Sequence, residues 1–122
     1  MPKMIILIKK KPGMSREDFI YHYEASHAVI GKRLLGHLWT KYVRNYPLSL
    51  MQYQPEDNSI DDSYDAVTEI WFKDQAAVDE MAQIINDPDN NRLILEDEEK
   101  FQDRLKTRLL MVEEVDNGTM LG

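Results

Sequence analysis

The chain contains no cysteine. That excludes a disulfide framework, a thiolate-held zinc and a thiol nucleophile. Histidine is scarce too, with three residues, His22, His27 and His37. Their spacings of five and ten place no pair on one face of an α-helix as an i, i+4 pair would be, so no metal site is expected. Positive charge is in short supply: 15 Lys and Arg face 22 Asp and Glu, for a net charge of −7. The acids run together at Glu56-Asp57, Asp61-Asp62 and Glu96-Asp97-Glu98-Glu99 with no basic patch to match. A phosphate backbone would be repelled, and nucleic acid is not an expected partner. Long apolar runs are missing as well. Met4-Ile5-Ile6-Leu7-Ile8 has the length of a strand, so neither a membrane span nor a cleaved leader is expected, and the cytoplasm is the expected compartment. No G-x-S-x-G, P-loop or G-x-G-x-x-G stands in the sequence, which leaves triad hydrolysis, nucleotide binding and dinucleotide redox chemistry without support.

What is present describes a globular protein. With 122 residues, 43% hydrophobic and 30% charged, the chain suits one domain over Met1–Gly122 with one core, and a polar tail from about residue 116 that is expected to be mobile. Lys3 to Lys11 reads as a first strand with apolar residues on both faces, stopped by Pro12-Gly13. A helix is expected from Ser15, a good N-cap, to about Leu35. His37 to Tyr46 reads as a second strand, with His37 in the turn before it, and Tyr64 to Lys73 as a third whose apolar and polar residues alternate. Asp74 caps a second helix with the stripe Ala77, Val78, Met81, Ala82 and Ile85. A shorter helix or turn follows Pro88, and Arg104 to Val115 forms the last strand. Between the second and third strands, Leu48 to Asp62 is long for a loop. Its apolar half, with Leu48, Leu50, Met51 and Tyr53, reads either as a lid or as irregular packing that docks on the body.

This β-α-β-β-α-β order suits an α+β fold, the ferredoxin-like βαββαβ plait: a four-stranded antiparallel sheet with its helices on one face. Two helices cover one side of such a sheet, and nothing left in the chain covers the other. A homodimer packed sheet against sheet is therefore expected.

The helix from Ser15 carries the main chemical question. Phe19, Tyr23, His27, Ile30 and Leu34 recur at helical spacing and should share the buried face. An imidazole on that face either packs with both nitrogens satisfied or borders a cavity as an acid, base or hydrogen-bond donor. His22 is read as flanking or solvent-facing.

These residues carry a resemblance. The opening strand followed by Pro12-Gly13-Met14-Ser15, the run Phe19, Tyr23 and His27, the pair Tyr42 and Asn45, and Asp97-Glu98-Glu99-Lys100-Phe101-Gln102-Asp103 stand together in order. Over about residues 3–115 the chain resembles the EthD-like branch of the dimeric α+β barrel superfamily. The resemblance implies two plaits forming a barrel, with a pocket in each subunit between sheet and helices. It also implies cofactor-free lyase chemistry (decarboxylation, dehydration or cyclisation) on small hydroxylated aromatic or polyketide-like molecules, or else an accessory protein without chemistry. His27 carries over as the substrate-contacting position. A neutral imidazole can accept a phenolic or α-carbon proton and return it elsewhere. Tyr23, Tyr42 and Tyr46 can offer hydroxyls, Asn45 an amide, and Asp97 can orient His27 if its helix folds back over the pocket. Two classes stay open: a cofactor-free lyase or cyclase, and a non-catalytic protein that binds a hydrophobic small molecule.

Overall fold

The computed structural model describes residues 1–50 and 63–119. Four strands form one antiparallel sheet: β1 (Lys3–Ile8), β2 (Trp39–Asn45), β3 (Ala66–Phe72) and β4 (Arg108–Val112), in the order β2-β3-β1-β4. The helices are α1 (Arg16–His22), α2 (Ala28–Leu35), α3 (Gln75–Asn86) and α4 (Pro88–Glu99). This is the α+β, ferredoxin-like plait. Among the described residues no helix is long and apolar enough to cross a membrane.

The register explains why the helices lie on one side. Met4 pairs with Ile70, Ile6 with Thr68 and Ile8 with Ala66, and Tyr42 faces Ile70 from the next strand. These alternate residues face the helices, because strand side chains point to opposite faces in turn. Their neighbours Ile5, Leu7, Val43, Val67, Trp71 and Leu110 lie on the other face, where no described helix packs. There Lys3 bonds Glu69 at 2.9 Å and Glu114 at 2.7 Å and sits 4.2 Å over the Trp71 ring.

Several elements differ from the sequence expectation. The first helix is one continuous run, but its middle, Tyr23–His27, is a π-helical turn in which the Ala28 N–H bonds back five residues to the Tyr23 carbonyl. One extra residue in the turn advances the buried stripe, so Leu35 is buried where Leu34 is only half-buried. Ala82, placed on the apolar stripe of α3 by its spacing, is exposed. The helix after Pro88 is as long as α3, twelve residues each, and not a short turn. Proline opens it, since its missing N–H is unneeded in the first turn, and Asp87 accepts the Asn90 N–H at 3.1 Å as its cap. The last strand begins only at Arg108, because residues 103–107 turn on the Asp103 carbonyl, which accepts from the Lys106 and Thr107 amides. Leu48 and Leu50 do not dock on the body: both are exposed, and the rest of that loop, 51–62, with Met51 and Tyr53, lies outside the described residues.

Two apolar clusters form the core. Met4, Leu35, Leu38, Ile70, Phe72 and Ala77 make one, and Ile8, Phe19, Tyr23, Ala28, Ala66 and Phe101 the other. Half-buried Ile6 and Tyr42 touch both. A cavity of about 300 Å³ lies between them, bordered by Met4, Leu35 and Ile70 of the first and Ile8 and Tyr23 of the second.

Candidate active site

The site begins with the π turn. Residues five apart stand about 140° apart around an α-helix. The π turn closes with a five-residue hydrogen bond and brings His22 and His27 to the same partner. That partner is Asp97 of α4, which is buried. Its Oδ1 accepts from the Ser26 hydroxyl at 2.7 Å and from His22 Nε2 at 3.1 Å, and its Oδ2 accepts from His27 Nδ1 at 2.9 Å. The reading of His22 as a solvent-facing residue is thus corrected: it bonds a buried carboxylate and lies 4.9 Å, centroid to centroid, from the Phe101 ring.

Burial pushes the Asp97 carboxyl up, but hydrogen bonds from Ser26 and His27 and the charges of the two imidazoles outweigh it and hold the group below its ordinary value. Asp97 is therefore an ionised acceptor at neutral pH, and each ring nitrogen facing it carries a proton. With Nδ1 committed to Asp97, His27 keeps Nε2 for other work. His27 lines the cavity, and Nε2 lies 3.9 Å from Oε2 of Glu98, another lining residue. Oε1 of Glu98 accepts from Arg104 Nε at 3.2 Å. His27, Glu98, Gln102, Arg104 and Thr107 thus make one polar end of a cavity that is otherwise walled mainly by aliphatic side chains.

Two tyrosines border the same space. Tyr42 donates to the Tyr23 hydroxyl at 3.3 Å, and the Tyr23 and Thr68 hydroxyls share a hydrogen bond of 2.5 Å. Burial raises both phenols, and the neighbouring Tyr23 hydroxyl raises Tyr42 further, so both stay neutral. Arg44 sits 4.4 Å over the Tyr42 ring and grips Glu24 with two bonds, 3.0 and 2.6 Å. Tyr46 donates to Glu24 and stands edge-on to Tyr23, but it does not line the cavity. Asn45 lies on the helix-free face, where its amide donates to the Val67 carbonyl and to Glu69, each at 2.9 Å.

The structure therefore brings His27, Tyr23, Tyr42 and Asp97 together and leaves Asn45 and Tyr46 outside the cavity. Sequence reasoning missed His22, Ser26, Glu98, Arg104 and Gln102. No spacing pointed to them, since His22 and His27 stand 75 and 70 residues from Asp97 in the chain and only the π turn brings both to it. Among the described residues, no group of three His, Asp or Glu side chains is arranged to hold a metal ion.

Comparisons with known proteins add the lineage. The fold is shared with a protein of Arabidopsis thaliana, at TM-score 0.62 and 15% identity over 98% of this chain and 100% of that one. An EthD-family protein of Bacillus halodurans matches at TM-score 0.62 and 20% identity, over 94% of this chain and 99% of that one. A dimeric protein of ferredoxin-like fold from Bacteroides fragilis matches at TM-score 0.58 and 8% identity, covering 93% and 95%. No curated protein matches the sequence. The EthD domain family matches residues 11–105, well over half of the sequence, and the chain belongs to that family.

Proposed function

We propose that this chain is a cofactor-free lyase or cyclase that acts on a small hydroxyaromatic or polyketide-like acid, with His27 as the proton-transfer residue. One observation carries the reading: His27 joins the buried carboxylate of Asp97 on one side and borders an apolar cavity on the other. A carboxylate on Nδ1 orients an imidazole and stabilises the imidazolium that forms when Nε2 takes a proton. His27 removes a phenolic or α-carbon proton, or, once charged, delivers one to the carbon that loses carbon dioxide or to the hydroxyl that leaves as water. Tyr42, kept neutral by burial, exchanges its long bond to Tyr23 for one to the substrate oxygen on which charge gathers. The cavity, about 300 Å³, suits a molecule of one or two rings. Arg104 and Gln102 at the polar end suit a carboxylate or hydroxyl on that molecule.

The working unit is a homodimer joined through the open sheet face. Ile5, Leu7, Val43, Val67 and Leu110 on that face favour burial. A protein of the same fold is described as dimeric, which supports a dimer here. Release of carbon dioxide or water from a panel of hydroxybenzoic and β-polyketo acids tests the assignment. His27→Ala is expected to lower turnover by about 10²- to 10⁴-fold while the circular dichroism spectrum is kept. Undiminished turnover in that variant overturns it.

A further inference from the structure

We propose that His22 is a positioning residue for the site: by holding Asp97 it fixes His27 in the one tautomer that leaves Nε2 unprotonated toward the cavity. The proposal deepens the reading above and rests on it only for the use to which His27 is put.

Asp97 is fastened at three points. Ser26 and His22 both donate to Oδ1, from positions one turn apart on the first helix, and only His27 meets Oδ2. Two donors on one oxygen triangulate it. Without His22, one donor is left on each oxygen, and the carboxylate can rock about the line between Ser26 and His27, which loosens the bond from Nδ1 to Oδ2. The tautomer of a histidine follows the bond its other nitrogen makes. Loss of a fixed acceptor at Nδ1 frees the proton to move to Nε2, and a protonated Nε2 cannot accept a proton from a substrate. Glu98, 3.9 Å from Nε2, adds to this tendency, since its carboxylate favours a proton on the nitrogen facing it. Asp97 and Glu98 thus pull the same proton toward opposite sides of one ring, and the firm seat of Asp97 decides the outcome. Phe101, 4.9 Å from the His22 ring and 5.1 Å from that of His27, packs against both and limits their rotation. Among the described residues, the charged and titratable groups facing the pair are Asp97, Glu98 and Tyr23, whose ring lies 5.9 Å from that of His27, with Arg104 behind Glu98.

The test is a ¹⁵N NMR spectrum of the histidine rings of the unliganded protein at about pH 8, where free imidazole is neutral. In the native protein His27 is expected to show a single Nδ1–H tautomer and a slowly exchanging Nδ1 proton. His22→Ala should replace it by an averaged mixture and remove the slow proton. His22→Gln, whose amide nitrogen reaches the place of Nε2, should restore the native pattern in large part. A structural role alone predicts equal losses for both variants, with the His27 tautomer unchanged in whatever folds. An unchanged His27 tautomer in His22→Ala overturns the proposal, and so does Gln behaving as Ala does. The spectrum needs no substrate, so its outcome is independent of the His27→Ala turnover assay.

Discussion

At the scale of the single residue, Asp97 bears the most. It is a charged group with little exposure, and it is tolerated because each oxygen meets at least one donor. Asp97→Asn keeps the shape but puts an N–H against one of those donors. The cost should be about 1–3 kcal/mol of stability, the usual range for an unsatisfied buried group, read from urea unfolding at pH 7. The same experiment carries a pH dependence. Asp97 is held below its ordinary value when folded, so its contribution is complete above the unfolded value of about 3.9 and is lost as pH falls through the folded one. The native protein should lose stability in that acid window, and Asp97→Asn should lose less. Tyr23, Tyr42 and Tyr46 behave in the opposite sense. Burial raises all three, so their contribution is complete below about pH 10 and is lost as pH climbs from there toward the folded values. Unfolding midpoints measured from about pH 9 to 11 should fall, and Tyr46→Phe should flatten part of the decline.

At the scale of the element, the π turn is the device on which the site depends. Deleting Ala25, which is exposed, would remove the extra residue of the turn, return the helix to α-helical spacing and leave His22 and His27 four apart, still on one face. Retention of the His27–Asp97 bond is expected, visible in the histidine ring spectrum, and its loss would show that the π geometry itself, and not the shared face, holds the pair on Asp97. The strands and caps were legible in advance because their causes are local. Ser15 accepts the Asp18 amide at 3.1 Å and Asp74 the Ala77 amide at 2.8 Å, as the capping residues promise, and β3 alternates buried and half-buried through all seven residues. The π turn was not legible, because nothing in Tyr23–His27 disfavours an ordinary α-helix. It forms where a carboxylate 70 to 75 residues away collects three donors, and sequence spacing does not register that. The acidic run around Asp97 misled for the same reason. Glu96 and Glu99 are exposed, as solvated charges are, while Asp97 between them turns inward onto a partner that the fold alone supplies.

At the scale of the whole molecule, the sheet has two unlike sides. One is covered by α1 to α4. The other carries Ile5, Leu7, Val67 and Leu110 beside the Lys3, Glu69 and Glu114 cluster, and Leu110 is among the exposed large apolar residues. Reading both faces of β1 as apolar already pointed to this asymmetry, since a strand that is greasy on both sides needs two covers. Under the dimer proposal, Leu110→Lys places like charges against each other across a two-fold axis and should give a monomer by light scattering, with the far-ultraviolet circular dichroism retained. A dimer of unchanged mass would show that the contact lies elsewhere.

The cavity opens on the covered side of the sheet, and the proposed contact lies on the bare side. The walls described lie on the covered side, and under that proposal a layer of backbone separates each hollow from its twin. Each half of the assembly would then work alone: a mixed pair with one disabled half should run at half speed, and a saturation curve should be hyperbolic, without cooperativity.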